Sequence, residues 1–205
     1  MSNSFLLGGA AALLTMLLSF AIAYVITKTN FRAKKALELV SWVPWTVPGL
    51  VLSLGMLWAY IRLPYPFEIY GTLWILLLAF VTNGIPLGVR LACGGLVQIG
   101  NELEESAWVH GASWFHAFRT ITLKLMAPVF LAGTLILFVT FIRTLGAVIL
   151  LYGHGTELLS VTIFHYWQRG EPGTVCALSL VLLVIILLAL AAARLLGARV
   201  SETDR

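Results

Sequence analysis

Residues 101–128 read NELEESAWVHGASWFHAFRTITLKLMAP. This stretch gathers polar and charged residues, among them Glu102, Glu104 and Glu105, between two segments that are almost continuously apolar. Long connections in compact proteins are uncommon and usually carry function. We therefore predict that the loop at 101–125 is a docking site for another protein.

The rest of the chain is too apolar for a soluble globule. Hydrophobic residues make up 60% of the 205 residues, charged residues make up 11%, and the mean hydropathy is +0.96. A helix needs about 20 apolar residues to cross a hydrocarbon core of roughly 30 Å. The chain is therefore predicted to be one all-α integral membrane domain, 1–205, with about five transmembrane helices. The predicted spans lie near 5–27, 39–61, 71–95, 126–151 and 174–196.

The basic residues predict how these spans are oriented. One side of the membrane receives the cluster at 28–35, Arg119 and Lys124 in the loop, and the arginines after the fifth span. The other side receives Arg62 and Arg169. Because cytoplasmic loops hold an excess of Lys and Arg, the loop and the C-terminus are predicted to be cytoplasmic and the N-terminus outside. This bias accounts for the net charge of +4, so no nucleic-acid partner is expected.

Two predicted spans contain helix-breaking residues. The second span carries Pro44, Pro48 and Gly49, and the third carries Asn83 and Pro86. Proline removes a backbone donor and disfavours helical geometry in the residue before it, so the second span should be kinked or broken near its cytoplasmic end. Either these positions are packing kinks, or they line a translocation path and supply its hinges.

Arg143 is predicted to lie well inside the fourth span. A charge at that depth costs about 2.5–3.5 kcal/mol on insertion scales, which favours a role in a path or gate. The alternative is that the side chain extends towards the membrane surface.

The loop has the local signals of a short helix. Asn101 is predicted to cap a helix from Glu102 to about residue 110, with Glu104 reaching back to the cap. Gly111 is predicted to end that helix in a left-handed turn. A second amphipathic segment, beginning near Trp114, should lead into the fourth span.

These residues resemble a signature of binding-protein-dependent ABC transporter permeases with the type I importer fold. Their cytoplasmic EAA loop carries Glu-Ala-Ala, three residues, Gly, nine residues, then Ile-x-Leu-Pro. The matching positions here, with Glu104 beside them, are expected to couple to an ATPase: Glu104, Glu105, Ser106, Ala107, Gly111, Ile121 and Leu123. Ser106 replaces the middle Ala, and Lys124 stands where Pro is expected, with Pro128 four residues later.

The resemblance covers nearly the whole chain and is strongest to the C-terminal half of ferric-iron importer permeases. The matching segments are Thr27–Arg32, Val43–Gly49, Tyr70–Trp74 and Gly155–Val161. Such permeases usually carry two halves of about six spans each. The chain therefore looks like one half without its first helix, either a fragment or one product of a split gene. Ferric iron is the expected cargo, and importers of polyamines, phosphonates or sulfate-type anions share most of these features.

The resemblance implies a bacterial inner-membrane subunit that works in a complex. The helix at 102–111 would be the coupling helix on a cytoplasmic ATPase dimer, and the stretch 152–173 would meet a periplasmic or extracellular solute-binding protein. A second permease half would complete a homodimer or heterodimer. No Gly-x-x-x-x-Gly-Lys-Ser/Thr loop occurs in the sequence, so we expect the chain to bind no cofactor and the partner ATPase to use the ATP. No metal site is expected.

Two other classes are weighed against the transporter. A passive channel or membrane scaffold would explain the spans and kinks but not the patterned loop. An intramembrane hydrolase could use Ser113 beside His110, although that pair lies in the polar loop and not within the bundle.

Overall fold

The computed structural model describes residues 2–62 and 69–203, and the predicted loop residues at 63–68 lie outside it. The described chain is helical, with nine α-helices in these two ranges. They are α1 (Ser2–Lys28), α2 (Lys34–Thr46), α3 (Gly49–Tyr60), α4 (Leu73–Gln98), α5 (Asn101–Val109), α6 (Trp114–Ala117), α7 (Leu123–Arg143), α8 (Leu159–Gln168) and α9 (Pro172–Thr203). A π-helical turn, Phe118–Thr122, joins α6 to α7 without a break.

The structure confirms the predicted membrane class. Four helical segments are long and apolar enough to cross a bilayer: Ser2–Lys28, Leu73–Gln98, Trp114–Arg143 and Pro172–Ala192. The second predicted span, near 39–61, is the pair α2 and α3, which bend by 100° at their junction. The described residues therefore hold four candidate crossings, or five if the bent pair counts as one.

The fourth span differs from its predicted bounds of 126–151. Its helix begins at Trp114 and ends at Arg143, and residues 146–151 form turns. Thr144 leaves helical geometry with ψ 122°, and Val148 and Leu151 are fully buried in the turns that follow. Hydropathy cannot separate an apolar buried turn from a helix, which is why the prediction placed this end too late.

Small residues bring α1 and α4 close together along most of their length. Their facing sides carry small residues at spacings of four, the pattern that lets helix backbones approach inside a membrane. On α1 these are Ala11, Thr15, Ser19 and Ala23, and on α4 they are Gly84, Gly88 and Ala92, all buried. A Cβ atom at Gly88 would lie 2.8 Å from Ser19 Cβ, and one at Gly84 would lie 3.0 Å from Thr15 Cγ2.

This packing predicts a difference between two glycines of α4. Gly88→Ala should lower the free energy of unfolding by about 1–3 kcal/mol, because the new methyl group overlaps Ser19 in a packed interface. Gly94→Ala is the matched control, since nothing lies within 4 Å of a Cβ there and the helix gains propensity. Thermal unfolding in detergent measures both variants. Equal unfolding temperatures for the two would contradict the close approach.

Candidate functional site

The loop between α4 and α7 contains the predicted short helix and its predicted glycine end. Helix α5 covers Asn101–Val109, and Gly111 has φ +84°, the left-handed conformation. The Gly111 amide donates to the Trp108 carbonyl at 2.9 Å, and the Ala112 amide donates to the Ala107 carbonyl at 3.0 Å. These bonds satisfy carbonyls that the helix end leaves free, so Gly111 sets the direction of the chain after α5.

The predicted cap at Asn101 is wrong. Helix α5 begins at Asn101 itself, and the preceding residue, Gly100, provides no side-chain cap. Asn101 Oδ1 instead accepts a hydrogen bond from Lys28 Nζ at 2.8 Å, and the same ammonium donates to the Ile99 carbonyl at 2.7 Å. A charged donor makes a stronger hydrogen bond than a neutral amide, which explains why the Asn101 side chain turns towards α1.

Glu104 does not reach back to a cap either. Its side chain is only 6% exposed, and its carboxyl group accepts a hydrogen bond from the hydroxyl of Thr122, which is fully buried. Glu104 therefore faces the bundle and fastens α5 to the start of α7. Nothing in the sequence spacing indicated this contact, because the two residues are 18 positions apart and the partner lies in a π-helical turn.

The outward side of α5 is exposed and partly apolar. Glu105 and Ser106 are exposed beside Leu103 and Trp108, and Val109 is 86% exposed. An exposed apolar patch rimmed by polar side chains is typical of a protein interaction surface. We call this patch (residues 103, 105, 106, 108 and 109) the α5 face.

The second half of the loop is a helical segment that leads into α7, as predicted. Ser113 caps α6 by accepting from the His116 amide at 3.3 Å, and helical structure then continues to Arg143. Ile121 lies half-buried in the π-helical turn, and Leu123 is exposed at the first position of α7. The helix passes through Lys124 and Pro128 without a break.

Aromatic stacking attaches this extension to α1. The rings of Trp114 and Phe118 stack at 5.3 Å, and Tyr24 of α1 meets Phe118 edge-on at 5.2 Å. Together with Lys28 and Glu104, these contacts hold both halves of the loop against the bundle.

The rival hydrolase pair is not formed. The Ser113 hydroxyl serves as the cap of α6, and His110 Nδ1 donates to the Ser106 carbonyl at 2.8 Å. The geometry therefore places neither side chain as nucleophile or base for the other.

A second candidate site forms where two helices break. The bend between α2 and α3 lies at Val47 and Pro48, both in extended geometry, so the predicted break is present at Pro48. A Cβ atom at Gly49 would lie 3.4 Å from the Ala147 amide nitrogen and 3.6 Å from Asn83 Nδ2. The start of α3 thus packs on the turn after α7 and on the middle of α4.

Ser53 connects the start of α3 to the turn after α7. Its hydroxyl lies 2.8 Å from the Gly146 carbonyl and 2.8 Å from the Gly49 carbonyl. Neither Ser53 nor Gly146 was identified from the sequence, and the only available signal was a small polar residue one turn after Gly49. We call the region of Pro48, Gly49, Ser53, Asn83 and 146–147 the break site.

The remaining predicted path residues are Pro44, Pro86 and Arg143. Pro44 lies inside α2, and Pro86 is buried inside α4, which stays helical across it. Arg143 is exposed and is the last residue of α7, so its predicted position well inside a helical span is wrong. The reason is the early end of that helix at Thr144.

The fold and these sites define a class, a multi-pass membrane protein with a break between two of its helices and a structured loop at one end. A family model described as "Binding-protein-dependent transport system inner membrane component" matches residues 15–202, and the chain belongs to that family. It is accordingly a multi-pass inner-membrane component of a transport system.

Individual relatives carry different cargo names. The chain is 29% identical over 185 residues to the ferric transport system permease protein FbpB of Actinobacillus pleuropneumoniae, covering 90% of this chain and 27% of that protein. It is also 29% identical over 185 residues to the putative 2-aminoethylphosphonate transport system permease protein PhnV of Salmonella typhimurium, covering 90% of this chain and 69% of that protein. The chain thus spans about a quarter of the ferric relative.

A solved structure agrees on the fold. The MetNI methionine ABC transporter, in an inward-facing conformation, matches with a TM-score of 0.76 over 96% of this chain and 91% of that chain, at 16% identity. The type I ABC importer fold predicted from the sequence is confirmed.

The buried hydrogen bond of Glu104 predicts that substitutions of Glu104 and Glu105 differ in their effect on stability. Glu104→Ala should lower the free energy of unfolding by about 1–3 kcal/mol, because it leaves the Thr122 hydroxyl buried without this partner. Glu105→Ala, exposed in the same helix, should change it little. Unfolding in detergent measures both, and the double variant with Thr122→Val should lose less than the sum of the single losses. Equal losses for the two glutamates would contradict the contact.

Proposed function

We propose that this chain is the permease subunit of an ATP-driven importer of ferric iron, and that the α5 face seats a cytoplasmic ABC ATPase. The observation that carries the proposal is the α5 face itself, a short helix with exposed Leu103, Trp108 and Val109 that is fastened to the bundle from behind. The fastening matters because a docking element transmits force only if it is held firmly.

The matching loop residues take separate roles in this proposal. Glu105 and Ser106 meet the ATPase directly, because their side chains are exposed. Glu104 and Ala107 set the position of the helix, Gly111 sets its end, and the pair Ile121 and Leu123 joins the loop to α7. ATP is bound and hydrolysed by the ATPase dimer, and this chain holds no cofactor in the proposal.

The break site is proposed to line the translocation path. Irregular backbone at membrane depth persists only where protein or a water-filled cavity covers it, and broken helices in transporters surround the cargo route. Pro48, Gly49 and Asn83 belong to this site, whereas Pro44, Pro86 and Arg143 are proposed to act at its margins. Closure of the ATPase dimer would rock the bundle and alternate access to the path.

Orientation and partners follow from the same scheme. The loop and the C-terminus face the cytoplasm, and the N-terminus and α8 lie outside. A polar cleft at the α8 end is proposed to receive the solute-binding protein; it is lined by Tyr152, Glu157, Thr162, His165, Tyr166 and Arg169. A second permease half, identical or different, completes the path. Helix α9 is available for it or for lipid, since its most apolar window has no buried residue in this chain.

Ferric iron is proposed as cargo because relatives named as ferric permeases match across most of the chain. The runner-up is a phosphonate, supported by PhnV, which the chain covers over 69% of its length. Uptake of radiolabelled ferric iron by cells that express the complete system should exceed uptake by cells lacking this chain. If labelled 2-aminoethylphosphonate is imported and iron is not, the cargo proposal fails while the ATPase proposal stands.

If the ABC ATPase docks on the α5 face, variants that disturb this loop should lose the ATPase. Gly111→Asp should abolish co-purification of the ABC ATPase, because an Asp at φ +84° strains the turn that aims α5. Gly170→Asp is the matched control, since Gly170 has φ +74° near the opposite end, also with open space around it. Affinity purification in detergent measures the ATPase retained.

Charge reversal gives an independent arm of this experiment. Glu105→Lys should weaken ATPase retention, whereas Glu171→Lys, an exposed glutamate after α8, should not. Full retention of the ATPase by both Gly111→Asp and Glu105→Lys would rule out docking through the α5 face.

A further inference from the structure

Helix α1 is hydrogen-bonded to a different loop at each of its ends. At its C-terminal end, Lys28 Nζ donates to the Ile99 carbonyl at 2.7 Å and to Asn101 Oδ1 at 2.8 Å. These two acceptors stand at the start of α5. The last side chain of α1 therefore holds the N-terminal end of the candidate docking helix.

The N-terminal end of α1 makes matching contacts with the segment that leads into α8. The Leu159 amide donates to Ser4 Oγ at 2.7 Å, and Asn3 Nδ2 donates to the Gly155 carbonyl at 2.7 Å. Leu159 is the first residue of α8, whose preceding residue, Leu158, gives no side-chain cap. Ser4 therefore supplies from α1 the cap that α8 lacks in its own sequence.

Between these two ends, α1 is suited to act as a rod. It runs for 27 residues without a proline, which corresponds to about 40 Å of helix. Its buried side chains recur along the whole length, from Ser4 to Ala23, and pack chiefly on α4 and α7. Interdigitated packing of this kind deforms little, so a shift at one end is passed along the axis.

We propose that α1 mechanically links the α5 face to the α8 end, with Lys28 and Ser4 as the positioning residues at its two attachments. The link would let engagement of a partner at the α8 end change the stability of the docking helix, and the reverse. By thermodynamic linkage the effect must be the same in both directions. Its importance for transport rests on the proposed function, in which a binding protein meets the α8 end and an ATPase meets α5.

Hydrogen exchange of the full chain in lipid nanodiscs tests the link. Lys28→Met removes the ammonium and keeps the length of the side chain, so amides at 99–104 should exchange about fivefold faster. The link predicts that amides at 158–162 also exchange faster, by a factor of about 2–30, the range typical of coupling through packed networks. Ser4→Ala should produce the reciprocal pattern, a direct effect at 158–162 and a remote effect at 99–104.

Two neighbouring residues provide matched controls. Lys35→Met removes an exposed ammonium near the same end of α1, and Ser2→Ala removes an exposed hydroxyl near the other; neither side chain makes a hydrogen bond within the described residues. Both controls should leave both regions unchanged. Remote acceleration in both Lys28→Met and Ser4→Ala supports the link.

Acceleration confined to the mutated end in either variant overturns the link. This outcome is distinct from failure of the proposed function, because the exchange experiment needs no ATPase. If the ATPase does not bind the wild-type chain, the docking proposal is refuted and the exchange result is unaffected. Conversely, an ATPase that docks on a chain without remote exchange effects would leave the docking proposal intact.

Discussion

The close approach of α1 and α4 is the contact on which the other features depend. Inside a bilayer there is little hydrophobic gain from pairing two apolar helices, so their packing relies on small side chains that let backbones meet. Gly88 against Ser19 and Gly84 against Thr15 provide this contact here. It sets where α1 ends relative to α4, and therefore whether Lys28 can reach the Ile99 carbonyl just beyond α4. A larger side chain at Gly88 would push α1 away from α4. It would therefore shift Lys28 relative to the loop as well as disturb the packed interface.

The break site follows from a second constraint, the need to satisfy backbone groups away from water. Helix α2 ends at Thr46 and α7 ends at Arg143, and the last turn of each leaves carbonyls without helical partners. The two breaks lie against one another: the Ser53 hydroxyl lies 2.8 Å from the Gly146 carbonyl in the turns after α7, while its contact with the Gly49 carbonyl lies within α3. One small polar side chain thus fastens the start of α3 to the turn that follows α7.

The features that were predictable from the sequence depend on local rules. Span length, the end of α5 at Gly111 and the break at Pro48 follow from hydropathy and from the backbone preferences of glycine and proline. The Asn101 cap was wrong because a lysine from a distant helix competed for the same side chain, and Arg143 was misplaced because turns can be as apolar as helices. Contacts such as Glu104 with Thr122 depend on tertiary packing that spacing does not encode.

The replacement of an expected proline by Lys124 has a structural consequence that connects the loop to the break site. Helical structure runs for 30 residues from Trp114 to Arg143, about 45 Å, because Lys124 keeps its backbone donor and Pro128 is accommodated further along. One end of this helix lies in the loop beside α5, and the other ends three residues before Gly146 in the break site. The loop is therefore joined to the break site through one covalent helix, while its connection to α8 depends on hydrogen bonds at both ends of α1. A covalent helix resists stretching more than two hydrogen-bonded joints do, so displacement of the loop should reach the break site first.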